Sequence, residues 1–324
     1  MAKETTADRN IALESVRVTE VVALAASQFL GGGDEQAADQ AAAAAMHEAL
    51  GKLAIDGTIR IGEGTPDETD KLFVGEEIGT GDGPKMDIAL VALEGKSALV
   101  RGGPNAMTVI AMAESGGFLT VPNIYMDKIA VGPGLPDGVV DLDNEPADNL
   151  NALADAKGVP VKNLVVCMLD RPRHSELIAK IRDAGARIRL IQGGDVSGVI
   201  SASQVDVGVD IFMGIGGAPQ GVLAAALRGV GGQMQGRLIF RNQDDKIDAG
   251  NVGIDDFERK YTAEDMASGN VTFAATGITY SAMLEGVRHI PGGAVTHSMV
   301  WRSVTGTLRY VEGHHDFIRW PTKV

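Results

Sequence analysis

From residue 145 onward the sequence alternates between helical and extended patterns at short, regular spacing, and this alternation narrows the fold most. A helical pattern over 145–157 precedes an apolar run at 164–169. A second over 174–183 precedes 187–191, and a third over 196–202 precedes 210–213. Such apolar runs are short for helices and read as buried strands. Strands interleaved with helices of this length predict repeated βαβ units and a mostly parallel sheet, hence an α/β chain. Gly214-Ile-Gly-Gly-Ala-Pro219 then opens a further helix over 220–227.

The first half is patterned differently. Residues 11–30 carry an apolar stripe (Ile11, Leu13, Val16, Val18, Val21, Leu24, Phe29) and read as a helix that Gly31-Gly-Gly-Asp34 ends. Residues 35–53 are alanine-rich, which is helix propensity rather than low complexity. Extended segments are expected at 58–62, 71–74, 86–93, 105–113 and 118–121, and again at 271–279 and 294–302, with 307–311 pairing beside them. Residues 242–269 read as a polar surface region. The soft Asp/Asn/Pro stretch at 144–149 suggests a boundary between an N-terminal unit, 1–148, and a C-terminal unit, 149–324.

With 324 residues, 44% of them hydrophobic and only 4% aromatic, the chain can build a large aliphatic core. Its formal charge of -14 argues against nucleic acid, whose phosphates need a positive face. A small phosphorylated ligand stays open, because a few arginines or one divalent ion reverse the field locally. The one cysteine, Cys167, lies within an apolar run, so it reads as a buried strand thiol in a reducing cytoplasm with no intrachain disulfide. Residues 1–10 are polar and do not resemble a signal peptide, and no window of 18 apolar residues predicts a membrane span.

Three carboxylate-bearing segments stand out: Asp39 beside the glycine loop, Glu63 in Ile61-Gly-Glu-Gly64, and Glu94 at the end of the apolar run 87–94. Acids at strand ends and loop junctions can converge on a hard cation such as Mg²⁺ or Mn²⁺. On spacing alone, the commoner readings are Asp39 as a helical surface residue and Glu63 as a turn residue. Asp170-Arg-Pro-Arg-His174 follows an expected strand and starts a helix, which puts two guanidiniums at the carboxyl edge of the sheet. Arginine grips phosphate through forked hydrogen bonds. The glycine loop at 214–221 could cradle an anion on its amides or simply allow tight strand–helix packing. His314-His315-Asp316 reads as a solvated terminal turn rather than a ligand cluster, His47 as a helix-surface residue, and His289 and His297 have no nucleophile motif beside them.

At this point the sequence resembles the class II fructose-1,6-bisphosphatases, of the lithium-sensitive, metal-dependent sugar phosphatases. The resemblance rests on Arg17-Val-Thr-Glu20, Ile55-Asp-Gly-Thr58, Ile61-Gly-Glu-Gly64, Tyr125-Met-Asp-Lys128, Val131-Gly-Pro-Gly134, Arg171-Pro-Arg-His174, Gly214-Ile-Gly-Gly-Ala-Pro219 and Ala275-Thr-Gly-Ile278. It implies a layered αβαβα fold with mixed, partly parallel sheets and a homodimer or homotetramer. It also implies Mn²⁺- or Mg²⁺-dependent removal of the 1-phosphate of fructose 1,6-bisphosphate in gluconeogenesis. By resemblance, Asp39, Glu63, Glu94 and Gln220 stand at metal positions. Glu94-Gly95-Lys96, Tyr125, Arg171-Pro172-Arg173, Gly193-Gly194-Asp195 and Gly217 stand at substrate positions. Asp67, Glu94 and Lys96 are the catalytic candidates.

The departures cluster at the centre. Where the family pattern runs Asp-Pro-Ile/Leu-Glu-Gly-Thr, this chain has Val91-Ala-Leu-Glu-Gly-Lys96, and the glutamate of Ala-Pro-Glu-Gly is Gln220. A lysine position is Glu35, and the acid before Gly194 is Gly193. Asp to Val, Glu to Gln and Thr to Lys together make the second metal site more positive by three charges. The expectation is that Lys96 fills the space of the missing ion and holds a phosphate oxygen as a fixed charge. Three readings follow: a working but slow fructose-1,6-bisphosphatase that uses one divalent ion on Asp39, Glu63 and Glu94, a non-catalytic paralog that binds a sugar phosphate and regulates a partner enzyme, or a phosphatase retuned to another substrate.

Overall fold

The computed structural model describes residues 6–319, with side chains from residue 11; the opening residues 1–5 of the polar N-terminus lie outside the described residues. The chain starts with α1 (Thr6–Ser27) and α2 (Glu35–Leu50), then β1 (Asp56–Ile61), β2 (Glu77–Ile78), β3 (Lys85–Glu94), α3 (Lys96–Val100) and β4 (Met107–Glu114). It continues through β5 (Tyr125–Val131), α4 (Pro146–Lys157), β6 (Val165–Leu169), α5 (Ser175–Asp183), β7 (Arg187–Ile191), α6 (Asp195–Ala202) and β8 (Ile211–Gly217). After α7 (Ala218–Ala224) come β9 (Gln233–Ile239), α8 (Gln243–Asn251), β10 (Lys260–Thr262) and α9 (Ala263–Met266). The last four strands are β11 (Val271–Gly277), β12 (Arg288–Ile290), β13 (Gly293–Arg302) and β14 (Thr307–Asp316).

These elements form two compact units, one made of residues 1–118 and 269–324, the other of 119–268. The first holds a mixed sheet in the order β12-β13-β11-β4-β3-β1-β2, with β14 on β13. Among the described strands of this sheet, only β1 and β3 pair in parallel. The stripe of α1 (Val16, Val22, Ala26) and the small face of α2 (Ala38, Ala42, Met46) bury against Ile88, Leu90, Ile110 and Met112 of the sheet. Alanine at the α2 contact lets that helix lie close to the strands, and Asp34 caps it by accepting the Ala37 amide at 2.9 Å.

The second unit has the order β10-β9-β5-β8-β6-β7. Leu150 and Leu153 of α4 and Ile181 of α5 bury against Ile129, Val166 and Ile211. The chain is therefore α/β with two mixed, partly parallel sheets.

Several expectations change. The second sheet is parallel only across β7, β6 and β8; β5, β9 and β10 join it antiparallel. Residues 71–74 and 118–121 form no strand, although Phe73 makes an isolated bridge to Gly64. The polar region 242–269 contains α8, β10 and α9. The division also falls elsewhere than at 144–149. That stretch is pinned rather than loose: buried Asn149 accepts the Asp141 amide at 2.8 Å and donates to the Asp141 carbonyl at 2.9 Å. His315 lies in β14, not in a solvated turn, with Nε2 2.9 Å from the Thr296 hydroxyl.

Candidate functional site

In the first unit the turn after β1 delivers Glu63. Gly62 must be glycine there, because a Cβ would meet the Leu72 carbonyl oxygen at 2.0 Å. The Glu63 carboxylate accepts the Ala92 amide at 2.7 Å. That amide is free of the ladder because β3 bulges: from the Val91–Val109 pair to the Glu94–Met107 pair, β3 advances three residues and β4 two. Burial pushes the Glu63 carboxyl above the usual carboxylate range, the Ala92 hydrogen bond opposes this, Asp39 adds to it, and Lys96 opposes it more weakly.

Just past the bulge, Gly95 turns through φ 81°, where a Cβ would also lie 2.7 Å from the Asn105 oxygen. This turn sets Lys96 as the first residue of α3, an end that disfavours positive charge. Its ammonium is held by Asp39 of α2 at 3.0 Å. Asp39, Glu63 and Lys96 are thus one electrostatic group. Glu94 is buried nearby in sequence at the strand end, whereas Asp67 is exposed on the 65–68 turn.

A divalent ion implied by the family must be tested against these donors. Among the described residues no three His, Cys, Asp or Glu side chains gather as a metal-holding group. Asp39 already has an ammonium, Glu63 an amide, and residue 91 is an apolar valine. The donor set as it stands does not fit a bound metal. Gln220, the fourth expected metal position, lies on α7 in the other unit, its Oε1 folded back so closely that a Cβ on Gly217 would sit 1.9 Å away.

In the second unit the carboxyl ends of β6 and β8 gather the cations. Arg173 donates from Nε and Nη2 to the Ile215 carbonyl at 3.1 and 2.8 Å. Its guanidinium lies 5.0 Å, and that of Arg241 5.2 Å, from the Tyr125 ring centre. Arg171 donates to the Asp170 carbonyl. Pro172 begins the short turn that aims both arginines, and Gly193 and Gly194, the latter at φ 90°, lead into Asp195 at the start of α6. Behind this rim, fully buried Lys128 of β5 pairs with Asp195 Oδ2 and donates to the Gly217 carbonyl at 3.0 Å. Among the described residues Asp195 Oδ1 is buried without a hydrogen-bond partner, and Gly216 leaves room for the carboxylate that a Cβ would strike at 2.0 Å.

Sequence reasoning missed Lys128, His174 and Arg241. Buried His174 donates from Nδ1 to the Leu169 carbonyl at 2.7 Å and accepts the Ile215 amide on Nε2 at 2.9 Å, which fixes the ring's orientation and ties two strand ends together. Arg241 follows β9, a strand whose glycine and glutamines gave no extended signal.

Two mixed sheets, with helices laid on them, are what a layered sugar-phosphatase fold requires. The chain belongs to the bacterial fructose-1,6-bisphosphatase family, glpX-encoded, whose pattern matches residues 9–315. It is 39% identical to the D-fructose 1,6-bisphosphatase class 2/sedoheptulose 1,7-bisphosphatase of Trichodesmium erythraeum (strain IMS101), over 96% of this chain and 97% of that one. It is 40% identical to the protein of the same name from Synechococcus sp. (strain JA-3-3Ab), over 95% of this chain and 96% of that one.

Proposed function

We propose that the chain binds a sugar bisphosphate and is a phosphomonoesterase of the fructose-1,6-bisphosphatase type that removes the 1-phosphate slowly. In that reaction a water oxygen bonds to phosphorus, the ester P–O bond breaks, and the sugar oxygen takes a proton. The products are fructose 6-phosphate and inorganic phosphate. The observation that supports this reading is the cation-bearing rim of the second unit, where the Arg173 and Arg241 guanidiniums lie 5.0 and 5.2 Å from the Tyr125 ring centre and Arg171 caps the turn that carries Arg173. Guanidiniums positioned in this way suit phosphate esters. In this reading Arg171, Pro172, Arg173, Tyr125 and Gly217 bind the sugar phosphate, with the Gly193-Gly194-Asp195 turn supplying Asp195 for a hydroxyl. In the first unit, the Gly95 amide and the Lys96 ammonium are the donors for a phosphate oxygen, Glu94 is the carboxylate beside them, and Asp67 is the acid near the attacking water. The setting would be cytoplasmic gluconeogenesis, in a homodimer or homotetramer. The low rate follows from Asp39 and Glu63 being engaged by Lys96 and Ala92.

The same engagement favours a second reading, a binder that regulates a partner enzyme without turnover. Phosphate release from fructose 1,6-bisphosphate, measured in Mn²⁺ and in EDTA, separates them. Release that Glu63→Gln abolishes supports the enzyme. Thermal stabilisation by the bisphosphate with no release supports the binder, and neither effect would sink both.

A further inference from the structure

We infer that the first unit carries its own cation: the Lys96 ammonium and the Ala92 amide satisfy Asp39 and Glu63, so this chain neither needs nor selects a divalent ion there. The inference rests on the geometry of one unit and does not depend on the proposed activity. Asp39 Oδ2 lies 3.0 Å from Lys96 Nζ, and Glu63 Oε1 lies 2.7 Å from the Ala92 nitrogen. Both donors come from one short segment, the β3 bulge and the turn into α3, and so arrive together. A proline at 92 would have no N–H to give, and a threonine at 96 no charge. Two of the departures from the family pattern, Ala92 and Lys96, are therefore the residues that close these carboxylates. An incoming divalent ion would have to displace the ammonium from Asp39 and then share the site with a positive charge a few ångströms away. Val91 gives it no oxygen in return.

This arrangement shifts the usual order of assembly. A carboxylate pair that waits for metal destabilises its own fold through mutual repulsion until the ion arrives. Here the compensating charge is covalently part of the chain, so the first unit reaches its final electrostatic state on folding. The exposed side of Lys96, half open to solvent, then offers the remaining N–H donors to an anion.

The test is calorimetric titration of Mn²⁺ into the metal-stripped full chain, paired with thermal scans in about 1 mM MnCl₂ against EDTA, with no sugar present. Wild type and Lys96→Arg should show no saturable site and no change in Tm. Lys96→Thr, and more so Lys96→Thr with Ala92→Pro, should gain a site at least about 100-fold tighter and a Tm raised by several degrees in Mn²⁺. If the double variant folds poorly, Lys96→Thr alone decides. Stoichiometric Mn²⁺ uptake by wild type within about threefold of the variants would overturn the inference, and so would failure of every variant to gain a site. Because no substrate is used, neither result bears on bisphosphate binding, which the phosphate-release assay addresses.

Discussion

Replacing Lys128 with methionine should be among the most damaging single changes in the second unit. Lys128 is fully buried and its named partners are Asp195 and the Gly217 carbonyl. Methionine keeps the aliphatic stem, which lies close to Gly221 and Met126, and removes only the ammonium. The side chain of Asp195 is only 11% exposed, and among the described residues one of its oxygens already lacks a hydrogen-bond partner. Deleting the cation therefore leaves a buried carboxylate with no counter-charge. Breaking a buried pair in this way costs about 3–5 kcal/mol. For a unit of this size, each kcal/mol moves Tm by about 2–4 °C, so Lys128→Met should lower the second unit's transition by roughly 6–20 °C. Thermal unfolding followed by circular dichroism reads it directly. Adding Asp195→Asn should return more than half of the loss, since the uncompensated charge goes with it. A single-variant loss below about 1 kcal/mol, or a double variant no better than the single, would refute the reasoning.

Two further outcomes follow from buried titratable groups. Burial raises the Glu20 carboxyl, against hydrogen bonding from Thr296 and the charge of Arg17, so the folded chain holds a proton there that the unfolded chain has lost. Stability from this group is then greatest at low pH and declines as pH rises from 4.5 through the folded value. Glu20→Gln should match wild type near pH 4 and exceed it at pH 7.5 in denaturant midpoint; an equal difference at both pH values would contradict the assignment. Burial also pushes the Cys167 thiol up to about 11. At pH 8 only about one thiol in a thousand would then be thiolate, so maleimide labelling of the native chain should run over ~100-fold slower than of a free thiol. Labelling at an ordinary rate would place Cys167 somewhere other than the β6 interior.

The strands that were legible in the sequence are those with an uninterrupted apolar run, such as β3 and β6. β5 and β9 were missed for a physical reason. Each carries polar or glycine residues in its interior, and Lys128, which looks like a surface residue, is buried because Asp195 neutralises it. The unit boundary misled because composition reports polarity but not where it points. Asn149 is polar and buried, its amide spent on Asp141. At the candidate site, Lys96 was visible as a charged residue in an unusual place. Ala92 was not, since what matters is a backbone N–H released by a one-residue bulge, and no side chain announces that.

The 150 residues of the second unit, 119 to 268, are threaded between β4 and β11, which lie side by side in the first sheet. Val271 pairs with Ala113 across that span, so the sheet's central seam joins residues far apart in the chain. On a ribosome the inserted unit emerges whole before β11 exists, and it can fold while the first sheet still lacks its middle. Once compact, it also brings the two ends of the insertion together, which shortens the entropic search that would otherwise slow the closing of the seam. Maturation of the first unit is thereby made contingent on the second, and a lesion such as loss of Lys128 should be felt earliest as a delay in completing a sheet to which it does not belong.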